Sequence, residues 1–202
     1  GELMWGTNGH HSRLIAIRPG NNEVEICVET EGLYDTGMIF DGENFWIGMK
    51  NSNRVRIVNR NGEMLEELFT PCNDIQGIAF DGENLIFLNS GFDNLMYVIT
   101  ADERQEVARF PFRHAMGNAD IWSIELIQGH TDGQLWGLAE ERIYQAYVNE
   151  DWEVEPVANY EWDIDEPRGI AHDGVNMWLG VKRDCFWKVY DDGIDEFAPI
   201  DW

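Results

Sequence analysis

His130, His172 and Glu140 are the side chains of this chain best suited to hold a divalent metal. Two imidazoles and a carboxylate would leave a coordination position for water, and a lyase or hydrolase would need a His or Glu base beside such an ion. Each histidine also has a simpler account, because it stands where related segments carry the turn-flanking Phe40 and Phe80. His10 and His11 are adjacent, so on an extended segment their rings point apart and chelate poorly. Cys27, Cys72 and Cys185 are odd in number and form no C-x-x-C pair. They predict small buried hydrophobes, neither a zinc site nor a disulfide framework. There is no nucleophile elbow, Walker loop, H-E-x-x-H or dinucleotide fingerprint. The acidic runs Asp163–Glu166 and Asp191–Asp192 lack the spacing of a calcium loop. The weight of these observations is against an enzyme and against a cofactor, with the divalent metal as the alternative.

A second group of polar residues has a chemistry only if a fold gathers it: His10, Lys50, Asn51, Asp74, Gln76, Asn89, His114, Glu140, Arg168, Lys182 and Arg183. The elements that would do so are written as a repeat. Gly37-Met-Ile-Phe-Asp-Gly-Glu-Asn-Phe-Trp46 returns as Gly77-Ile-Ala-Phe-Asp-Gly-Glu-Asn-Leu-Ile86 and as Gly169-Ile-Ala-His-Asp-Gly-Val-Asn-Met-Trp178. A looser copy is Leu126-Ile-Gln-Gly-His-Thr-Asp-Gly-Gln-Leu-Trp136, and Gly1–Trp5 matches the second half alone. The Asp-Gly pairs at Asp41, Asp81, Asp132 and Asp173 are 40, 51 and 41 residues apart. A period near 40 made of strand-like pieces marks a β-propeller.

Within one repeat, Met38–Phe40, Phe45–Met49, Arg54–Asn59 and Glu63–Phe69 read as four short antiparallel strands. The turn at Asp41–Asn44 and the Asn61-Gly62 pair supply the reversals. Trp5, Trp46, Trp136 and Trp178 recur in one column, which predicts packing between sheets, and each Asp of Asp-Gly is expected to form a turn. The fold expected is all-β: a five-bladed propeller of four-stranded antiparallel blades, the first lacking its inner strand. The blades span about 1–36, 37–76, 77–123, 124–168 and 169–202. Three accounts of the first blade are open. It has three strands, or Phe197–Trp202 folds back to complete it, or the chain belongs to a longer propeller.

The repeated phrase resembles that of the NHL, YVTN and virginiamycin-lyase-like propeller families through residues 37–48, 77–90, 126–138 and 169–181. The resemblance implies the architecture. Those families range from scaffolds and ligand binders to a few metal-dependent enzymes, so it implies no single function. In a propeller, the loops entering each inner strand and those joining second to third strands share the channel-mouth face. The polar residues named above would meet there, with mixed charge. The segment Arg113–Trp122 adds about ten residues to one repeat and would overhang that face.

Thirty-eight acidic against fourteen basic residues leave a net charge of −24, which repels nucleic-acid backbones and anionic membrane surfaces. The same surplus suits an ordinary acidic surface or a saline setting. No apolar run approaches the roughly 20 residues needed to span a bilayer. A soluble chain is expected, with compartment undetermined and an extracellular site open. Three functions follow: a non-enzymatic propeller binding a protein or small polar ligand at the channel mouth, a metal-dependent lyase or hydrolase in the channel, or a structural module of a larger assembly. Oligomerisation through the incomplete first blade is compatible with each.

Overall fold

A computed structural model describes residues 3–8, 12–18, 23–30, 35–89, 95–111, 120–127, 133–139, 142–161, 167–172, 176–181, 187–191 and 199–200. Among them there is no helix. The strands pair strictly as antiparallel neighbours in five sheets. The first holds β1 (Met4–Asn8), β2 (Arg13–Ile17) and β3 (Val24–Glu29). The second holds β4 (Asp35–Phe40), β5 (Phe45–Met49), β6 (Arg54–Val58) and β7 (Met64–Phe69). The third runs through β8 (Ile75–Phe80), β9 (Asn84–Asn89), β10 (Leu95–Thr100) and β11 (Glu106–Pro111). The fourth comprises β12 (Ser123–Leu126), β13 (Leu135–Leu138), β14 (Arg142–Val148) and β15 (Val154–Glu161). The last comprises β16 (Pro167–His172), β17 (Asn176–Val181), β18 (Trp187–Asp191) and β19 (Pro199–Ile200). This is a β-propeller arrangement, each sheet a meander in which chain order is spatial order.

The Asp-Gly turn explains its own recurrence. The Asp41 carboxylate accepts from the Glu43 and Asn44 amides at 2.8 and 2.7 Å, and from the Trp46 indole at 2.7 Å. Asp81 makes the same two backbone bonds, to Glu83 and Asn84, at 2.8 and 2.6 Å. Gly42 and Gly82 have φ of 104° and 99°, the left-handed region that a Cβ disfavours. Asp132 and Asp173 lie outside the described residues.

Trp46, Trp136 and Trp178 are buried, and Trp5, half-buried, packs on Phe45 with ring centroids 4.8 Å apart. The column is therefore core, as its repetition predicts. Apolar residues of neighbouring sheets interdigitate: Ile39 and Trp46 pack with Ile78 and Phe87, and Ala79 and Ile86 with Ile124 and Leu135. Cys72 is buried in this core, but Cys27 on β3 is exposed, a correction to its expected burial. Among the described residues it lies on the outermost strand of its sheet, paired on one edge only, with β2.

One open account narrows and one expectation changes. Pro199–Ile200 pairs with Tyr190 and Val189 as the outer strand of the last sheet, so that stretch of the tail does not complete the first one. The loose fourth copy is also out of register. Strand pairing sets Leu126 opposite Leu135, as Phe40 is opposite Phe45, Phe80 opposite Leu85 and His172 opposite Met177. Leu126, not His130, occupies the Phe column; the inner strand ends four residues before His130, because the turn after it is longer.

Candidate functional site

The inner strands β4, β8, β12 and β16 approach one another closely. A Cβ on Gly37 would lie 2.9 Å from the Gly77 Cα, and one on Gly77 would lie 2.9 Å from Ile124 Cγ1. Polar groups stitch the same seams. The Thr36 hydroxyl donates to the Ile75 carbonyl, and the Ile170 amide donates to Ser123 Oγ at 3.4 Å.

Just before that tight contact, the inner strands are irregular. Ile75 pairs with Asn89 and Gly77 with Leu88, leaving Gln76 as the extra residue of a bulge. Pro167 pairs with Val181 and Gly169 with Gly180, leaving Arg168 as the extra residue of another. Bulges re-aim a side chain away from the ladder. Trp122 holds the equivalent position before Ser123, its amide donating to the Leu138 carbonyl at 2.7 Å. The Arg168 guanidinium lies 4.3 Å from the centroid of the Trp122 ring. Equivalent positions of consecutive sheets thus touch at the starts of their inner strands. Stacking holds a guanidinium flat while leaving its N–H edges for a planar acceptor.

Of the other sequence-predicted residues, three meet. The buried Asn89 side chain accepts from the Asn73 and Asp74 amides at 3.3 and 3.0 Å, and the Asp74 carboxylate accepts from the Asn51 amide at 2.8 Å. Asn51 takes φ of 54°, which Asn tolerates better than most residues. This network ties the β5–β6 loop to the β7–β8 loop, which confirms that both lie at one end of the sheets. Its members fix the rim; beside them Lys50 is exposed. His172 is half-buried at the far end of β16, away from Arg168 at its start. His10, His114, His130, Glu140, Lys182 and Arg183 lie outside the described residues. Among the described residues no three His, Cys, Asp or Glu side chains are grouped to hold a metal ion.

One residue of the inner strands lies outside the repeated phrase yet carries a charge-bearing group. Glu125 pairs with Trp136, as Ile39 does with Trp46, Ala79 with Ile86 and Ala171 with Trp178. A carboxyl thus stands in an otherwise apolar column. It keeps a little accessible surface, yet burial pushes it up to about 8, against a smaller downward pull from the hydrogen bond of the Leu126 amide. The signal was hidden because aligning the fourth repeat on Asp132-Gly133 shifted its inner strand away from Glu125.

Charge is distributed unevenly around this frame. Arg18, Arg54, Arg56, Arg104, Arg109 and Arg142, on outer strands and turns, each bond a glutamate. Among the described residues, neither Lys50 nor Arg168 has a carboxylate partner.

No protein-family model matches the chain, and no curated protein does. Solved structures do, by fold. A functionally unknown protein from Desulfotomaculum acetoxidans DSM 771 superposes with a TM-score of 0.56 at 7% identity, over 100% of this chain and 65% of that one. Myxococcus xanthus glutaminyl cyclase gives 0.62 at 11% identity, over 79% and 66%. Virginiamycin B lyase from Staphylococcus aureus gives 0.52 at 20% identity, over 92% and 60%. The chain spans about two thirds or less of the length of each.

Proposed function

We propose that this chain is a five-bladed, non-enzymatic binding propeller whose channel mouth takes a partner through a carboxylate group, on a small polar ligand or on an acidic protein segment. The five sheets support counting five blades, the first of three strands. The observation that carries the function is Arg168, re-aimed by a bulge, seated on Trp122 and without a carboxylate of its own among the described residues. Most of the other described arginines bond a glutamate, whereas Arg168, like Arg60 over Phe40, lies over an aromatic ring. A guanidinium fixed by stacking meets a carboxylate with two parallel hydrogen bonds at little entropic cost. Lys50, on the same face, adds a second cation, and the Asn89–Asp74–Asn51 network supplies the rigidity.

The test is titration with citrate as a small ligand and with hexaglutamate as a peptide. Saturable binding of either, weakened at least tenfold by Arg168→Gln, is expected, and which one binds tells ligand from protein. Binding of neither, or binding indifferent to Arg168→Gln, would overturn the reading.

A metal-dependent lyase or hydrolase is the second reading, favoured by the half-buried His172 on an inner strand. Stoichiometric metal in the purified protein, lost in His172→Ala, would establish it at the expense of the first.

A further inference from the structure

The outer turns of three successive sheets meet the preceding sheet by different means. Gly62, between β6 and β7, lies so near β3 that a Cβ would stand 2.8 Å from the Glu29 carbonyl oxygen, so backbone alone fills the space. Trp152, between β14 and β15, packs its indole against the core shared by the third and fourth sheets, stacked on the Phe110 ring. Arg104, between β10 and β11, instead pairs with both carboxylate oxygens of Glu66. The seam between the second and third sheets therefore receives a salt bridge where the next seam receives a ring.

A cavity of about 190 Å³ lies in that seam, and every residue lining it is described. Trp46, Val55 and Leu68 line it from the second sheet, and Leu85, Phe87 and Ile99 from the third. Its place matches that of the filled seam. Leu68 opposes Val55 and Phe110 opposes Met96, and each of those partners lies two residues before the one facing Trp46 or Ile86. Leu68 thus holds the position of Phe110, on which Trp152 stacks. Arg104 and Trp152 are the left-handed residues of their turns, with φ of 60° and 61°. The chain itself shows what fills such a seam: a flat, fused aromatic ring.

Size and charge define the occupant. An apolar cavity of about 150 Å³ takes benzene, whereas pockets for drug-sized ligands start near roughly 300 Å³. About 190 Å³ suits one small ring system. The ions on the lining are already paired: Arg104 with Glu66, and Glu106 with Arg109 at 2.6 and 3.0 Å. A charged ligand would have to break one of these pairs, and a neutral one would not. The hydroxyls of Thr70 and Thr100, also on the lining, each have two lone pairs, which suits a ring carrying one N–H or O–H.

We infer that the seam between the second and third sheets is a binding site for a small, uncharged aromatic molecule of about the size of indole, packed against Leu68 and Phe87. The site shares no residue with Arg168, Trp122 or Lys50 and is independent of the carboxylate reading.

The probe is fluoroindole, added to the intact protein. Fluorine NMR should show saturable binding, and protons of the bound ring should give NOEs to the methyl groups of Leu68 and Leu85. Arg104→Trp, which supplies the side chain that fills the next seam, should weaken binding at least tenfold. No saturable binding at millimolar concentration, or a bound ring without NOEs to either leucine, would overturn the inference. So would undiminished binding to a folded Arg104→Trp protein. The NOE measurement, made on the unaltered chain, decides the matter even where that variant does not fold.

Discussion

Arg104 reaches back across the seam between the second and third sheets and grips both carboxylate oxygens of Glu66 on β7, at 2.8 and 2.7 Å. It does so from the turn between β10 and β11, with φ of 60°. The turns of adjacent sheets do likewise. Gly62, φ 83°, sits against Glu29 and Val28 of β3, and Trp152, φ 61°, stacks on Phe110 of β11 at 6.4 Å. In these three sheets the outer turn therefore clasps the sheet before it, and a residue of the turn has a left-handed backbone.

That geometry sets two effects against each other at Arg104. The exposed ion pair is worth about 0.2–1 kcal/mol, while a non-glycine residue in the left-handed region costs roughly 1–2 kcal/mol. Arg104→Ala should destabilise the protein slightly. Arg104→Gly should be more stable than Arg104→Ala by about 1 kcal/mol, read as a difference in urea midpoint at constant m-value.

Asp41 couples turn and core, since one carboxylate holds two turn amides and the Trp46 indole. Burial alone would raise its titration, but those hydrogen bonds outweigh it and hold the carboxyl below the usual range. With the native value depressed, the stability contributed is present above the unfolded value of about 3.9 and is lost as pH falls through the native one. Asp41→Asn should cost on the order of 2 kcal/mol at pH 7. The gap from wild type should close below about pH 4, followed by urea unfolding from pH 7 to pH 2.5.

Glu125 should behave in the opposite sense. Its native value is raised to about 8, so the folded state binds the extra proton and stability falls as pH climbs from about 4.3 towards that value. Glu125→Gln should match wild type near pH 4 and exceed it at pH 9, with the slope between abolished. Parallel curves for the two proteins would mean that Glu125 is ionised and solvated.

The inner strands predict a contrast between two glycines of the same column. A Cβ at Gly77 would stand 2.9 Å from Ile124 Cγ1 and 3.0 Å from its amide nitrogen, whereas one at Gly169 meets nothing described within 4 Å. Gly77→Ala should cost about 1–3 kcal/mol by overpacking, and Gly169→Ala less than about 0.5 kcal/mol, compared by thermal unfolding.

Much of this frame was legible in the chain because period, turn chemistry and strand alternation agree locally. Phe45–Met49 was bounded to the residue, and Asp41, Gly42 and the Trp column carry the roles their repetition implies. Register slipped where a loop changed length. In the fourth repeat the extra turn residues align His130 in sequence with a column that Leu126 fills, and leave Glu125 outside the repeated phrase. The site was less legible for a different reason. Asn51, Asp74 and Asn89 are polar and do converge, but on one another, and a sequence does not show whether a side chain turns towards a ligand or back to a neighbouring amide. Arg168 is legible as a charge; its seat on Trp122 depends on a bulge and the equivalent position of the preceding sheet, brought side by side by the fold.

The clasps and stitches described above all join one sheet to the next in order, at Gly62, Arg104, Trp152, Thr36 and Ser123. Cohesion of this kind is sequential, like that of a stack of coins, and so is its failure. Pulled by its termini in an optical trap, the protein should yield in successive steps of about one 40-residue repeat each.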